Sequence, residues 1–279
     1  MTASRVLYKE RLSETVCLMR LEAPLIARER APGQFIMLQV SADFGERIPL
    51  TIADADPEEG SITIIYQVVG KTTRLLGALN EGETVEALVG PLGSPTRVEN
   101  VGTVVCVGGG IGVAPLHPIA KALKEAGNRV VTILGARSKD LLILEEQMAA
   151  CSDELIICTD DGSRGRNALV TEPLKEVCGR AVPPALVVCV GPPMMMKFCC
   201  ATTKAFAVPS VVSLNAIMVD GTGMCGGCRV TVGGETKFVC VDGPEFDGHQ
   251  VDFDNLISRL SAYKEQERED HVCNLAAHR

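Results

Sequence analysis

Three patterns of apolar and polar positions follow one another along the chain. Residues 1–99 carry short apolar runs at 37–40, 61–66 and 84–89, rich in Val, Ile and Thr. Turn-forming stretches separate them: Ala31-Pro32-Gly33, Asp54-Ala55-Asp56-Pro57 and Gly90-Pro91-Leu92-Gly93. Short strands at regular spacing, without a helical period, predict a small antiparallel β-barrel. From residue 100 the pattern alternates between continuous apolar runs and helical stretches. Runs at 103–107, 130–134, 155–159 and 185–190 are of the buried, parallel-strand type. An amphipathic stretch at 116–126 ends at Gly127, a residue suited to a helix C′ position. Strand, helix, strand in repetition predicts a parallel α/β domain over 100–212.

Residues 213–250 are rich in glycine and cysteine and have too few apolar residues to bury themselves, which predicts a small module whose bound group lies near the surface. In 251–279, Phe253, Leu256, Ile257 and Leu260 recur at helical spacing and predict an amphipathic helix from Asp252 to about Lys264. The charged tail from Glu265 is expected to fray or to dock elsewhere. The fold class is therefore β plus α/β, with a cysteine module and a terminal helix.

Charge and length narrow the function. With 27 basic and 35 acidic residues the formal net charge is −8, which argues against binding nucleic acid or an anionic membrane. No apolar run approaches a membrane span, and the start Met1-Thr2-Ala3-Ser4-Arg5 opens no secretory signal, so a cytoplasmic location is expected. Twelve cysteines are then not expected to form disulfides. Nine read as small core residues, Cys106, Cys158 and Cys189 among them. Cys225, Cys228 and Cys240 stand among glycines and charges and need another explanation.

Gly108, Gly109, Gly110, Ile111 and Gly112 lie between a predicted strand and a predicted helix. Glycines there admit a pyrophosphate to the helix N-terminus, although a tight turn would use them too. The second strand ends in Gly135-Ala136-Arg137, without the acidic residue that commonly holds a ribose hydroxyl. Asp160 and Asp161 end the third strand where such sheets place ligands, and a site and an ordinary Asp-Gly turn have equal claims on them. Gly191, Pro192 and Met194 follow the fourth strand and could wall a flat ring or simply turn the chain.

The most specific feature is Asp220, followed by Cys225, Cys228 and, eleven residues on, Cys240. The Asp-x4-Cys-x2-Cys spacing parallels the plant-type ferredoxin run, with an aspartate in first place, and glycines let backbone N–H groups point at bridging sulfides. Structural zinc on three thiolates and a carboxylate is the chemical alternative. A thioredoxin-type dithiol fits less well, since it has no use for a third cysteine.

Barrel, glycine-loop domain and C-terminal cysteine loop in this order resemble the ferredoxin-NADP reductase superfamily over essentially the whole chain. More narrowly, the chain is similar to the electron-transfer subunits of class 1B dihydroorotate dehydrogenase and to the small subunits of NADH-dependent reduced ferredoxin:NADP oxidoreductase. Gly108-Gly-Gly-Ile-Gly-Val-Ala-Pro115 carries the superfamily motif. In the dihydroorotate group the first cluster ligand is a cysteine; aspartate there is a feature of the oxidoreductase small subunits and of related sulfide dehydrogenase chains.

The resemblance implies FAD on the barrel, held by Arg47, Pro49, Leu50 and Thr51 and by Tyr66, Gly70, Thr72 and Thr73. Thr51 takes the place beside the flavin N5, Leu50 that of a stacking aromatic, and Arg47 stands one residue before the usual arginine slot. It implies NAD(H) on the glycine loop, with Pro115, Arg137, Asp160, Asp161, Gly191, Pro192 and Met194 around it. It further implies a [2Fe–2S] cluster on Asp220, Cys225, Cys228 and Cys240. The implied function is a relay from NADH through FAD and the cluster to a larger iron–sulfur flavoprotein subunit, in a complex that could bifurcate electrons and meet ferredoxin only through that partner. No side-chain acid or base is implied. A dihydroorotate dehydrogenase relay is the nearest alternative, and a zinc-stabilised nucleotide-binding regulator is the alternative from another class.

Overall fold

A computed structural model describes residues 4–42 and 46–263. Its first sheet contains β1 (Ser4–Arg11), β2 (Val16–Glu22), β3 (Phe35–Gln39), β4 (Arg47–Asp56), β5 (Ser61–Gln67), β6 (Thr84–Val85) and β7 (Ala87–Leu92). The order is β6-β1-β2-β5-β4-β3-β7, and every pairing is antiparallel. β6 and β7 lie at opposite ends of that order yet are separated only by Glu86. The run predicted as one strand at 84–89 is thus a bent strand that pairs with β1 on one side and β3 on the other. It closes the sheet into the expected barrel, as full closure of an antiparallel sheet requires.

Period two fills the barrel. Cys17, Met19 and Leu21 of β2 and Ile62, Ile64 and Tyr66 of β5 point inward, with Leu76 of helix α2 (Lys71–Ala78). Helix α1 (Pro24–Glu29) adds Ile26 and Ala27 to the same core. β3 is buried on both faces: Ile36 and Leu38 enter the barrel, while Phe35 and Met37 join the core of the second sheet. Its near-continuous apolar sequence follows from that double burial.

The second sheet holds β8 (Thr103–Gly109), β9 (Arg129–Ala136), β10 (Glu154–Thr159), β11 (Arg166–Asn167), β12 (Leu186–Val190) and β13 (Ser210–Ser213). These are parallel, in the order β11-β10-β9-β8-β12-β13. Helices α3 (Val113–Glu125) and α4 (Glu145–Ala150) pack on one face. Helices α5 (Thr171–Cys178) and α6 (Pro193–Ala205) pack on the other. The chain reverses its direction of travel across the sheet between β8 and β12, a switch point of the kind that forms a ligand crevice at the carboxyl ends of strands.

The cysteine module is less separate than its sequence suggests. It contains the hairpin β14 (Arg229–Val232) and β15 (Glu235–Phe238), the short helix α7 (Val239–Asp242) and β16 (Glu245–Asp247). β16 pairs antiparallel with β13 and extends the nucleotide sheet to a seventh strand, so that sheet is mixed rather than parallel throughout. Cys228, Val230, Val239 and Cys240 belong to the same core as Val107, Cys189 and Leu214. Helix α8 (Phe253–Leu260), capped by Asp252 through Asn255 N–H, buries Phe253 and Leu256 in that core. It stops at Leu260, short of the expected Lys264. The tail from Glu265 lies outside the described residues, as does the ninth expected core cysteine, Cys273; the other eight are all buried.

Glu245 joins three modules. Its Oε1 accepts from the Thr96 hydroxyl at 2.5 Å, its strand bonds to β13, and Gly243 O accepts from Ser94 N–H. Burial pushes its carboxyl above the ordinary value, with the Thr96 hydrogen bond opposing part of the shift. A raised carboxyl holds its proton in the folded chain over a range where the unfolded chain has released it. Its contribution to stability is therefore complete below the unfolded pKa and lost as pH rises through the folded one. The melting temperature is expected to fall over that range. Glu245→Gln, which keeps the shape and cannot ionise, should flatten the fall in melting curves recorded against pH. Superimposable pH profiles for the two proteins would remove Glu245 from this account.

Candidate active site

A cleft of about 1350 Å³ opens at the switch point and runs between barrel and nucleotide sheet. Pro49, Leu50 and Thr51 of β4 and Tyr66 of β5 line its barrel side. Gly109, Gly110, Ile111, Gly112, Pro115, Gly191 and Pro192 line the opposite side. Two motifs about 60 positions apart in sequence are thus brought to one space.

Local packing explains why the glycine loop has its sequence. A 3₁₀ turn at Gly110–Gly112 leads straight into helix α3 and takes up Val113 N–H through Gly110 O. No side chain caps that turn, which leaves the N–H groups of the glycine turn itself to meet a ligand. A Cβ on Gly112 would stand 2.5 Å from Val190 O and 2.7 Å from Gly191 Cα. The helix start can press against the end of β12 only because that atom is missing. Gly108 faces Leu116 and Val113 of α3 rather than the cleft. Gly109 is covered by the Met195 thioether.

The remaining expected residues divide. Thr73 lines the cleft, and its hydroxyl accepts from Val69 and Gly70 N–H, closing the start of α2. Gly70 caps that helix and Thr72 is buried; neither lines the cleft. The Tyr66 ring belongs to the barrel core, and its hydroxyl is buried without a hydrogen-bond partner. Arg47 alternates onto the same strand face as Pro49 and Thr51, but its Nε donates to Gln39 Oε1 at 3.4 Å and it is not among the lining residues. Arg137 and Asp160 line the cleft. Asp161 does not: its carboxylate accepts from Ser163 Oγ and N–H, which hold it below the usual carboxylate range and mark it as a turn residue. Met194 points away, 47% exposed, and Met195 takes the wall position.

Several lining residues escape a motif-based reading. Phe35 is a second aromatic that lines the cleft beside Tyr66; it pairs with Thr51 across β3 and β4. Ser213, Leu214, Asn215, Ala216 and Met218 line the cleft along the segment leaving β13. Only the unbroken apolar character of residues 35–38 hinted at the first, and nothing in the sequence marked the second.

That segment leads directly into the cysteine loop. Asp220 Oδ2 accepts from Cys225 N–H at 2.9 Å and Oδ1 from Thr222 N–H at 2.7 Å, which hold its carboxyl below the ordinary range. Cys228 Sγ and Cys240 Sγ are 3.2 Å apart, in contact and well beyond disulfide length. Gly227 N–H is aimed at Cys225 Sγ and Cys240 N–H at Cys228 Sγ. Burial, with the Cys228 thiol beside it, pushes the Cys240 thiol up to about 12. Loading metal on Cys240 at neutral pH therefore releases a proton. Among the described residues no three His, Cys, Asp or Glu side chains gather around a single ion position. A touching buried pair, a third exposed thiol and N–H groups aimed at sulfur are a donor set that fits an iron–sulfur cluster.

Comparison with known proteins places both halves of this arrangement. Residues 215–252 match the iron–sulfur cluster-binding domain of dihydroorotate dehydrogenase B. A dihydroorotate dehydrogenase B (NAD(+)) electron transfer subunit homolog of Thermotoga maritima is 50% identical over 95% of this chain and 93% of its own. The corresponding electron transfer subunit of Bacillus caldolyticus is 38% identical over 89% and 96%. A chain of the NADH-dependent reduced ferredoxin-NADP oxidoreductase, solved in a study of flavin-based electron bifurcation, superposes with a TM-score of 0.92 at 47% identity over 99% of both chains.

Proposed function

The chain belongs to the family of dihydroorotate dehydrogenase B electron transfer subunits and their homologues, and from that premise we propose that it passes electrons from NADH through FAD and a [2Fe–2S] cluster to a larger iron–sulfur flavoprotein subunit. The observation that carries this reading is the shared cleft, in which flavin-type barrel residues face a nucleotide loop and the wall runs on into the cysteine loop. Bound flavin takes hydride as two electrons and can release them singly, and an iron–sulfur cluster carries one at a time.

The chain's own residues bind and orient. Pro49, Thr51 and Phe35 shape the barrel wall for the flavin ring, with Thr73 at the start of α2 beside it. The glycine turn Gly110–Gly112 ahead of α3 offers N–H groups to the nucleotide pyrophosphate, and Gly191 and Pro192 wall the nicotinamide. Asp220, Cys225, Cys228 and Cys240 hold the cluster. Asp220 in first place favours the ferredoxin:NADP oxidoreductase complex, and with it electron bifurcation, over dihydroorotate dehydrogenase; the iron–sulfur match favours either over a zinc-stabilised regulator. Exposed Cys225 lies in a loop that also presents Met224 (89% exposed) and Val219 (59%), with Val241 (43%) of α7 packed against Gly223 beside it. Apolar side chains gathered around an exit point for electrons suit a partner subunit. No helix among the described residues is long and apolar enough to cross a membrane, and we place the complex in the cytoplasm.

For nucleotide choice we weigh the cleft's charges. Asp160 would repel a 2′-phosphate, Arg137 and Lys175 line the cleft too and would attract one, and Arg164 and Arg166 are engaged by Glu145 and Glu176. The Asp160 carboxylate and the NAD(+) named for the similar electron transfer subunits favour NADH. The test is anaerobic purification followed by titration. We expect one flavin and about two irons and two acid-labile sulfides per chain, with NADH bleaching the flavin faster than NADPH. Stoichiometric zinc without sulfide would end the relay, and a preference for NADPH would overturn the charge argument.

A further inference from the structure

Between the flavin cleft and the cysteine loop lies a wall of apolar side chains to which no binding motif points. Met37 and Met218 are buried (1% and 8% exposed) and share one core with Phe35, Cys228 and Cys240. Phe35 and Met218 face the cleft from one side of this wall. On the other side, Gly221 follows Asp220 directly and adopts φ +77°. A Cβ there would stand 2.5 Å from Met37 Cγ and 3.0 Å from Leu92 Cδ1. Val219 and the Ile217 carbonyl lie beneath Gly227, between Cys225 and Cys228. Cleft wall, thioethers and buried cysteines therefore belong to one packed core, and the close approach of the cysteine loop to Met37 depends on a residue with no side chain.

We propose that Met37 and Met218 form the packed bridge that sets the separation between flavin and cluster, with Gly221 as the positioning residue that lets the cysteine loop close on it. The proposal rests on the electron-transfer reading above. With both cofactors bound, the hydride's two electrons would leave the flavin one after the other for the cluster and its proton would pass to solvent once both had gone; the bridge itself gains and loses nothing. Its task is to keep the gap short and dry, because electron transfer slows steeply as edge-to-edge separation grows. Close packing holds such a distance better than a hydrated gap, and thioethers fill irregular space well.

The test uses the holo-chain with both cofactors, reduced by NADH in a stopped-flow instrument. Flavin bleaching and cluster reduction are followed at separate wavelengths. The reduced cluster's EPR relaxation and its midpoint potential are recorded as well. Met37→Ala, Met218→Ala and Gly221→Ala are expected to slow cluster reduction about tenfold or more. In Met37→Ala, whose side chain does not line the cleft, flavin bleaching should stay within about twofold of the wild type and the midpoint potential should not move. Magnetic coupling between flavin and cluster should weaken in parallel, and Met37→Leu should restore both. If Gly221→Ala sheds its cluster, the two methionine variants decide, since they leave the ligand loop's backbone untouched. Unchanged cluster reduction and unchanged coupling in both methionine variants would overturn the proposal, as would a shift in potential that accounts for the slowing. A wild-type chain without flavin or iron would instead strike down the electron-transfer reading beneath it.

Discussion

Cys240→Ala is expected to reduce iron and acid-labile sulfide to background while the chain keeps its flavin and still bleaches with NADH. Cys240 is 1% exposed and touches Cys228, so the variant removes one half of a buried thiol pair and leaves the other half unpaired in the core. Asp242, the exposed carboxylate two residues on, is turned to Phe238 N–H, so the buried side of the cluster would lose its thiolate without a ready replacement. Transfer to one-electron acceptors should then fall by about two orders of magnitude or more, an effect set by loss of the cofactor rather than by its tuning. Asp220 should behave differently. Its carboxylate is exposed, and thiolate can stand in for it, so Asp220→Cys should keep about two irons with an altered midpoint potential. The checks are iron and sulfide assays with potentiometry on the same preparations. Full iron in Cys240→Ala would remove this cysteine from the ligand set. Unchanged iron and potential in Asp220→Ala would do the same for the aspartate.

Gly112→Ala is expected to damage nucleotide binding and stability together. The added carbon meets Val190 O and Gly191 Cα, backbone atoms of the facing strand that cannot swing aside as a side-chain tip would. Overpacking of this kind costs about 1–3 kcal/mol. The start of α3 must move off the sheet to relieve it, taking the N–H groups of the pyrophosphate site with it. NADH should bind at least about tenfold more weakly, which corresponds to about 1.4 kcal/mol. Gly77→Ala is the internal control. Its Cβ would meet Val68 Cγ2 at 3.5 Å and Val68 Cγ1 and Tyr66 Oη at 3.9 Å, all ordinary contacts, and it lies inside α2, where alanine is favoured over glycine by up to about 1 kcal/mol. That variant should melt at or above the wild type. Calorimetry and NADH titration on both variants check the pair of signs. Wild-type affinity in Gly112→Ala would show that the close approach at this turn is not needed for the site.

The sequence is most informative where local chemistry is restrictive. A Cys-x-x-Cys turn among glycines and a glycine cluster between strand and helix can serve few purposes, and the fold brings both to the cleft or its wall. Periodicity located the four central strands of the nucleotide sheet, because each is an unbroken run buried on two faces. It was less informative where one stretch serves two partners. Residues 84–89 read as one strand because the bend at Glu86 changes no hydrophobic period, only the neighbours. Residues 35–38 face two cores at once, which hides Phe35 and Met37 behind a pattern without alternation. Met194 and Met195 are chemically identical, and only the phase of α6 selects the second. β16 has three residues and almost no apolar character, so its place at the sheet edge is set by its partner β13 and not by its own composition.

That edge strand governs how a chain of this kind can be recombined. The run of cysteines invites treatment as a cassette, to be cut at residue 212 and moved to another reductase. Yet β13 gives its outer hydrogen bonds to β16, so a fragment ending there would present a bare parallel-sheet edge, a ready template for pairing with other chains. The excised piece would in turn carry a strand without a sheet and a pair of thiols without their surrounding core. Inheritance of the two parts as one unit is the arrangement this hydrogen bonding favours. Exchanges between related genes should therefore succeed when the crossover falls between barrel and nucleotide sheet, near residues 97–101, where the chain passes through an exposed stretch without strand or helix.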